Sequence, residues 1–305
     1  MRLTIFFEIP MENIGGQAVI EGVMMKSRKG WTVAVRGPKG DIHIKRETLK
    51  NIPRIFKLPV LRGAVALYQA LSIGIRAIEF SAIKAYEEED QKPTNPFTLG
   101  LTIVVAIILG IAFFIVLPLY ATKLLGVFFP SVSKSSLLFN LVDGIVRIIL
   151  FLAYLAAVGM WKEMRRIFEY HGAEHKVIHA YENNKGLIPK EIKDFSPHHP
   201  RCGTSFLLIV MVVSILTFSL IPQGWSFTNK FLSRVILIPA IAGVSFEFLK
   251  FSYRMKNNPL INILIQPGLL LQRLTTREPD DDQIEVAIRA LEEVLNIEES
   301  DVRKT

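Results

Sequence analysis

Four stretches of about 20 apolar residues constrain this chain more than any other feature, because that is the length a helix needs to cross a bilayer core. They lie near residues 98–122, 137–160, 204–222 and 231–251. The first and third carry no charge, whereas Asp143 and Arg147 interrupt the second and Arg234, Glu247 and Lys250 the fourth. Half of the 305 residues are hydrophobic, more than a water-soluble chain of this size requires. The expected fold class is therefore a mainly α integral membrane protein of about four transmembrane helices.

The remaining segments are shorter and more polar. Residues 1–13 carry an apolar patch broken by Glu8 and Pro10, too short for a cleavable signal core. They read as an N-terminal extension, with Met11 an alternative start to Met1. Residues 14–50 are rich in β-branched and apolar side chains punctuated by Gly and Pro, with a Gly-Pro-Lys-Gly turn between two strands. Their glycines lack the spacing of a phosphate-binding loop. Residues 51–92 have helical periodicity interrupted by Arg62, Gln69, Arg76 and Glu79, the pattern of an amphipathic helix lying at a membrane surface. Two transmembrane hairpins follow, 98–160 and 204–251, separated by a polar loop over 161–203. Within 252–305, residues 259–272 are apolar but broken by Pro267, which suggests a re-entrant or interfacial piece. The tail then forms an amphipathic helix opened by Asp280–Asp282, where negative charge suits the helix dipole.

Charge sets the expected orientation. The 161–203 loop holds eight Lys and Arg, against two in 123–136 and one in 223–230. The positive-inside rule then places that loop and both termini in the cytoplasm, in a multi-pass cell-membrane protein. The net charge of +8 is better spent on anionic lipid than on nucleic acid in such a chain. A single cysteine, Cys202, excludes an intramolecular disulfide and suits a reducing compartment.

Five of the six histidines fall between residues 171 and 199. His171 and His175 are one helical turn apart with Glu174 beside them, an H-x-x-E-H pattern in which two imidazoles hold a metal and the carboxylate serves as general base. His179 and Glu182 continue the same side of the helix. Immediately before the third apolar run stands SPHHPRCGTSF. There His199 and Cys202 are candidate ligands, Arg201 a candidate stabiliser of developing negative charge, and Thr204 the expected N-cap. A thiol near a helix N-terminus has its thiolate favoured. Glu247, 72 residues beyond His175, is a candidate third ligand by analogy with inverted-motif proteases, or else a structural ion pair with Arg147 or Arg254. Asp143 and Arg147 are spaced to neutralise one another. The bland alternative throughout is a solvated polar helix and a rigid turn meeting lipid head groups.

GGQAVIEGVMMKS, FKLPVLRGAVALYQAL, FEYHGAEHKVIHAYE, HPRCGTSF, GVSFEF and QPGLLLQRLTTREP together resemble the YqhQ-like family of bacterial membrane proteins, from about Ile14 to about Leu295. The resemblance implies a membrane protein described, from its motifs, as a metal-dependent enzyme. The expected activity is a hydrolase using His171, His175 and Glu174 with a divalent metal, zinc above all, on a substrate the sequence does not name. A non-catalytic metal- or lipid-binding scaffold is the alternative. A small transporter ranks third, since neither inverted repeats nor paired broken helices occur.

Overall fold

A computed structural model of the chain describes residues 14–50, 53–86, 96–200, 202–222, 224–255 and 258–302. It is mostly helical, with a small N-terminal sheet.

The sheet has four antiparallel strands, β1 (Gly15–Val19), β2 (Gly22–Lys26), β3 (Gly30–Arg36) and β4 (Ile42–Thr48), in the order β1-β2-β3-β4. Register pairs Gln17 with Met24, Met24 with Val33, and Ala34 with Ile44. The Gly-Pro-Lys-Gly turn closes β3 onto β4, with Gly40 at φ +87°, a conformation that favours glycine. Side chains alternate across a strand, and here both faces are covered. Trp31, Val33 and Val35 pack with Ile73 and Ala77 of α1 (Leu61–Ala85). Val23, Met25 and Ala34 face α6 (Lys162–Glu182) and α11 (Asp281–Val302). Thr32 fixes the second interface by donating to the Ala290 carbonyl at 2.7 Å. This double burial explains why β2 and β3 read as apolar runs rather than as strict alternation.

The helices between these layers are α2 (Pro96–Ile111), a π-helical turn (Ala112–Val116), α3 (Leu117–Phe128), α4 (Pro130–Lys134), α5 (Ser136–Val158), α7 (Pro189–Ile192), α8 (Gly203–Ser219), α9 (Phe227–Arg254) and α10 (Pro259–Thr275). Among the described residues, three helices are long and apolar enough to cross a membrane: Gly100–Phe128, Ser136–Val158 and Phe227–Ser252. They point to a membrane protein. The third expected span is shorter than its sequence suggested, since α8 ends at Ser219 after 17 residues. The expected break at Pro267 is absent, and α10 runs through it. There Gly268 comes so close to Ser205 of α8 that a Cβ would lie 2.7 Å from its hydroxyl, so packing holds the helix across the lost hydrogen bond. The helix expected within 51–92 is α1, which buries Ile73 and Ala77 while exposing Tyr68, Leu71, Ile75 and Ile78. Residues 51–52 and 87–92 of that expected segment, like 1–13, lie outside the described residues.

Asp143 and Arg147 do meet, at 3.0 Å, and Arg234 joins them from α9 at 2.9 Å. Ser214 of α8 accepts from Arg147 at 3.3 Å, so one polar cluster ties three apolar helices together. Sharing Asp143 offsets part of the cost of burying two guanidinium groups, whose Nε atoms find no partner among the described residues.

Candidate metal centre

Helix α6 is unusual for a polar helix because it is buried on nearly every side, under β1, α11 and the segment after α10. Its polar side chains therefore need partners. Gly172 allows the closest approach: a Cβ there would stand 2.0 Å from the Arg277 carbonyl oxygen. That proximity lets Arg277 N–H donate to the Phe168 carbonyl at 2.9 Å. It also brings the Thr275 carbonyl to His171. Lys176, 2% exposed, donates to the Lys193 carbonyl at 2.5 Å and pairs with Glu278.

Opposite α6 lies the turn 197–202. Gln272, fully buried in α10, clamps its main chain at His199, with its Oε1 accepting from His199 N at 2.8 Å and its Nε2 donating to His199 O at 2.8 Å. The N-cap of α8 is Cys202 rather than Thr204, its sulfur accepting from Thr204 N at 3.4 Å.

The two clusters meet. Ligand atoms of His171, His175 and Cys202 lie within 4.8 Å of one another, and so do those of His179, Glu182 and His199. The His171 and His175 rings are 4.4 Å apart, His179 and His199 4.4 Å, and His175 and His199 5.8 Å. His171 Nε2 is 3.2 Å from Cys202 Sγ. The distribution of ring protons is informative. His171 Nδ1 lies 2.8 Å from the Thr275 carbonyl, His175 Nδ1 2.6 Å from that of Pro197, and His179 Nε2 2.9 Å from that of His198. A carbonyl only accepts, so each of these nitrogens carries the proton. In a neutral ring the second nitrogen then presents a lone pair, the arrangement that main-chain carbonyls impose on metal-bound imidazoles. His175 Nε2 is buried and has no hydrogen-bond partner among the described residues. This donor set fits a borderline divalent ion.

Burial favours the neutral form of two of these rings. Burial, reinforced by His171, holds His175 well below the usual imidazole range, and burial brings His199 down to about 4. Burial lifts the Glu174 carboxyl to about 7, against the pull of His171 and a Gly16 N–H, while Cys202 pushes it the same way as burial. Gly16 has no Cβ because one would lie 2.8 Å from the Glu174 carboxylate carbon. Cys202 departs from expectation: burial raises its thiol despite the helix N-terminus and the hydrogen bonds from Thr204 and Ser205.

Of the residues singled out in the sequence, His171, Glu174, His175, His199 and Cys202 all line one cavity of about 380 Å³. Glu247 is not among them and belongs to neither ligand group. Arg62 of α1 holds it in a two-pronged pair, with Nε at 2.6 Å, so its carboxylate is taken up by the α1–α9 contact rather than by Arg147; the side chain of Arg254, its other expected partner, lies outside the described residues. Arg201 lies outside the described residues. Sequence reasoning missed Gly172, Gln272 and the carbonyls of Pro197 and Thr275, and it marks Gly16 only as a point of tight backbone in the β region. Only the glycines carried any signal, and it was indistinguishable from that of ordinary turn glycines.

Comparison with known proteins gives a family. Residues 58–297 match the family described as protein of unknown function DUF1385. The chain is 33% identical over 301 residues to the uncharacterized protein YqhQ of Bacillus subtilis (strain 168), covering 93% of this chain and 92% of that protein. No solved structure matches it. The chain, similar to YqhQ of Bacillus subtilis along nearly its whole length, thus belongs to the DUF1385 family.

Proposed function

We propose that this protein is a metal-dependent membrane hydrolase with its centre at the cytoplasmic boundary of the cell membrane. The observation that carries the reading is the proton pattern. Carbonyls fix Nδ1 of His171 and of His175 as proton-bearing, so Nε2 of His171 faces Cys202, and the buried Nε2 of His175 lacks a partner among the described residues. His171, His175 and Cys202 are the residues that would hold the ion, with His199 beside them. A divalent ion, zinc best suiting a His₂Cys set, would supply Lewis acidity at neutral pH.

The chain's own groups supply the rest. Glu174 lines the same cavity and is oriented by the Gly16 N–H. It takes the proton from an attacking water and passes it to the leaving group. Gln272 and the carbonyls of Thr275, Pro197 and His198 keep the donors from rotating. Arg201, next to Cys202 in sequence, is the proposed cationic stabiliser of negative charge developing on the substrate. The basic 161–203 loop supports placing both termini and this centre inside the cell, against anionic lipid.

The test compares wild type, His175→Ala and Glu174→Gln, purified in detergent. Metal content is measured by mass spectrometry, and turnover on a panel of chromogenic esters and amides. We expect stoichiometric metal in wild type and in Glu174→Gln, its loss in His175→Ala, and turnover in wild type alone. Metal-free wild type, or Glu174→Gln turning over at the wild-type rate, refutes the reading. The exposed apolar side of α1 favours one non-catalytic alternative, a lipid-surface scaffold. That reading predicts vesicle binding with no turnover in any variant.

A further inference from the structure

The shape of the cavity bears on its substrate. We infer that the site acts on a membrane lipid, whose head group reaches Glu174 and the His/Cys donors while its tail stays in the bilayer; this rests on the metal-centre reading above for its chemistry. The cavity that holds the donors does not end at them. It continues between β1 and α6 to Leu155 of α5 and Leu207 of α8, past Ile167 and Phe168. Leu155 lies three residues before the end of α5 at Val158, and Leu207 four residues after the start of α8 at Gly203. At 1.5 Å per residue, both stand about 5–6 Å inside the apolar ends of these helices. Leu207 is 45% exposed, and Val212 and Leu216 further along α8 are exposed too, so the wall at that end opens onto the apolar outer side of this helix.

A water-soluble substrate gains nothing from such a wall. An amphiphile does, at about 0.8 kcal/mol for each methylene kept out of water. The polar end and the apolar end of the cavity are thus arranged as the two ends of a lipid are.

The experiment uses the full chain in phosphatidylcholine vesicles. The probe is phosphatidylglycerol carrying a diazirine on the acyl chain next to the head group, and its deacylated, water-soluble counterpart serves as comparison. After photolysis, labelled peptides are mapped by mass spectrometry. Helix α2, none of whose apolar window is buried, reports ordinary contact with surrounding lipid. We expect labelling of α6 between Ile167 and Ile178 by the acylated probe. Leu207→Trp or, separately, Leu155→Trp should lower it several-fold without changing α2 labelling or metal content. The inference is overturned if α6 is unlabelled, if the deacylated probe labels it equally, or if both Trp variants leave it unchanged. Labelling of α6 in a protein that holds no metal would leave the lipid site standing and remove the hydrolase reading. Bound metal without labelling would do the reverse.

Discussion

Gly172→Ala should damage the centre without touching any donor. A Cβ at this position would meet the Arg277 carbonyl oxygen at 2.0 Å, so α6 and the 275–279 segment must separate by about 1 Å or more to reach ordinary contact. Two hydrogen bonds cross that contact, His171 Nδ1 to the Thr275 carbonyl and Arg277 N to the Phe168 carbonyl. Losing both costs about 0.5–1.5 kcal/mol each, and overpacking adds about 1–3 kcal/mol. Alanine returns about 1 kcal/mol through its helix propensity. The net expectation is a destabilisation of about 1–5 kcal/mol. Because His171 loses the carbonyl that sets its tautomer, metal affinity should also fall about 10- to 100-fold. The assays are thermal unfolding in detergent and metal retention under chelator titration. Gly110→Ala serves as control, since nothing lies within 4 Å of a Cβ there. A Gly172→Ala protein that unfolds at the wild-type temperature and keeps its metal equally well would refute the close-approach argument.

Asp143→Asn should lower the thermal midpoint strongly, by about 3–5 kcal/mol of stability, because Arg147 and Arg234 share that carboxylate inside the helix cluster. Ser214→Ala, which removes one acceptor of Arg147, should cost much less in the same assay. On the sheet side, Arg46 at 2.5 Å holds the Glu293 carboxyl below the usual carboxylate range. A depressed folded pKa stabilises above the unfolded value of 4.5, and the contribution is lost as pH falls through the folded one. Arg46→Met should therefore reduce stability at pH 7 and leave a shallower acid limb, as read by circular dichroism against pH. Removing metal with a chelator should lower the unfolding temperature, and restoring zinc to 100 times its dissociation constant should return about 2.7 kcal/mol. An unfolding temperature indifferent to zinc would count against a native-state metal site.

How much of this was readable beforehand depends on sequence distance. The apolar runs near 98–122, 137–160 and 231–251 correspond to helices long enough to span a membrane, because spanning is a matter of length and composition within one segment. His171, Glu174 and His175 were visible for the same reason, since a helical turn fixes their relation locally. Cys202 and His199 entered by chemistry and proximity to α8. Glu247 was misplaced because a spacing of 72 residues holds no distance. It rides on α9, a helix of 28 residues and about 40 Å, on the side that meets Arg62 of α1. Gln272 and the Thr275 carbonyl act on residues 73 and 104 positions away, and no local pattern announces such partners. The N-cap of α8 fell to Cys202 rather than Thr204 because helix ends shift by a residue or two for reasons that spacing does not carry.

The arrangement around α6 is hard to account for as a polar core alone. A core that buries imidazoles for packing has every reason to cross-link them, one ring donating to the next, since an unsatisfied buried nitrogen costs about 1–3 kcal/mol. Here the proton-bearing nitrogens of His171, His175 and His179 turn outward to carbonyls of the surrounding main chain. His171 Nε2 meets the Cys202 sulfur at 3.2 Å, and the buried Nε2 of His175 is left without a partner among the described residues. Burial keeps His175 from taking up a second proton, so a cation is the partner that nitrogen lacks. The glycines say the same from the backbone side, for Gly16 and Gly172 give up side chains where the main chain must close on Glu174 and His171. Lines of support from β1, α10 and the segment after it thus converge on α6 from different parts of the chain. That convergence is what a site selected for geometry requires, and a solvated polar helix requires none of it.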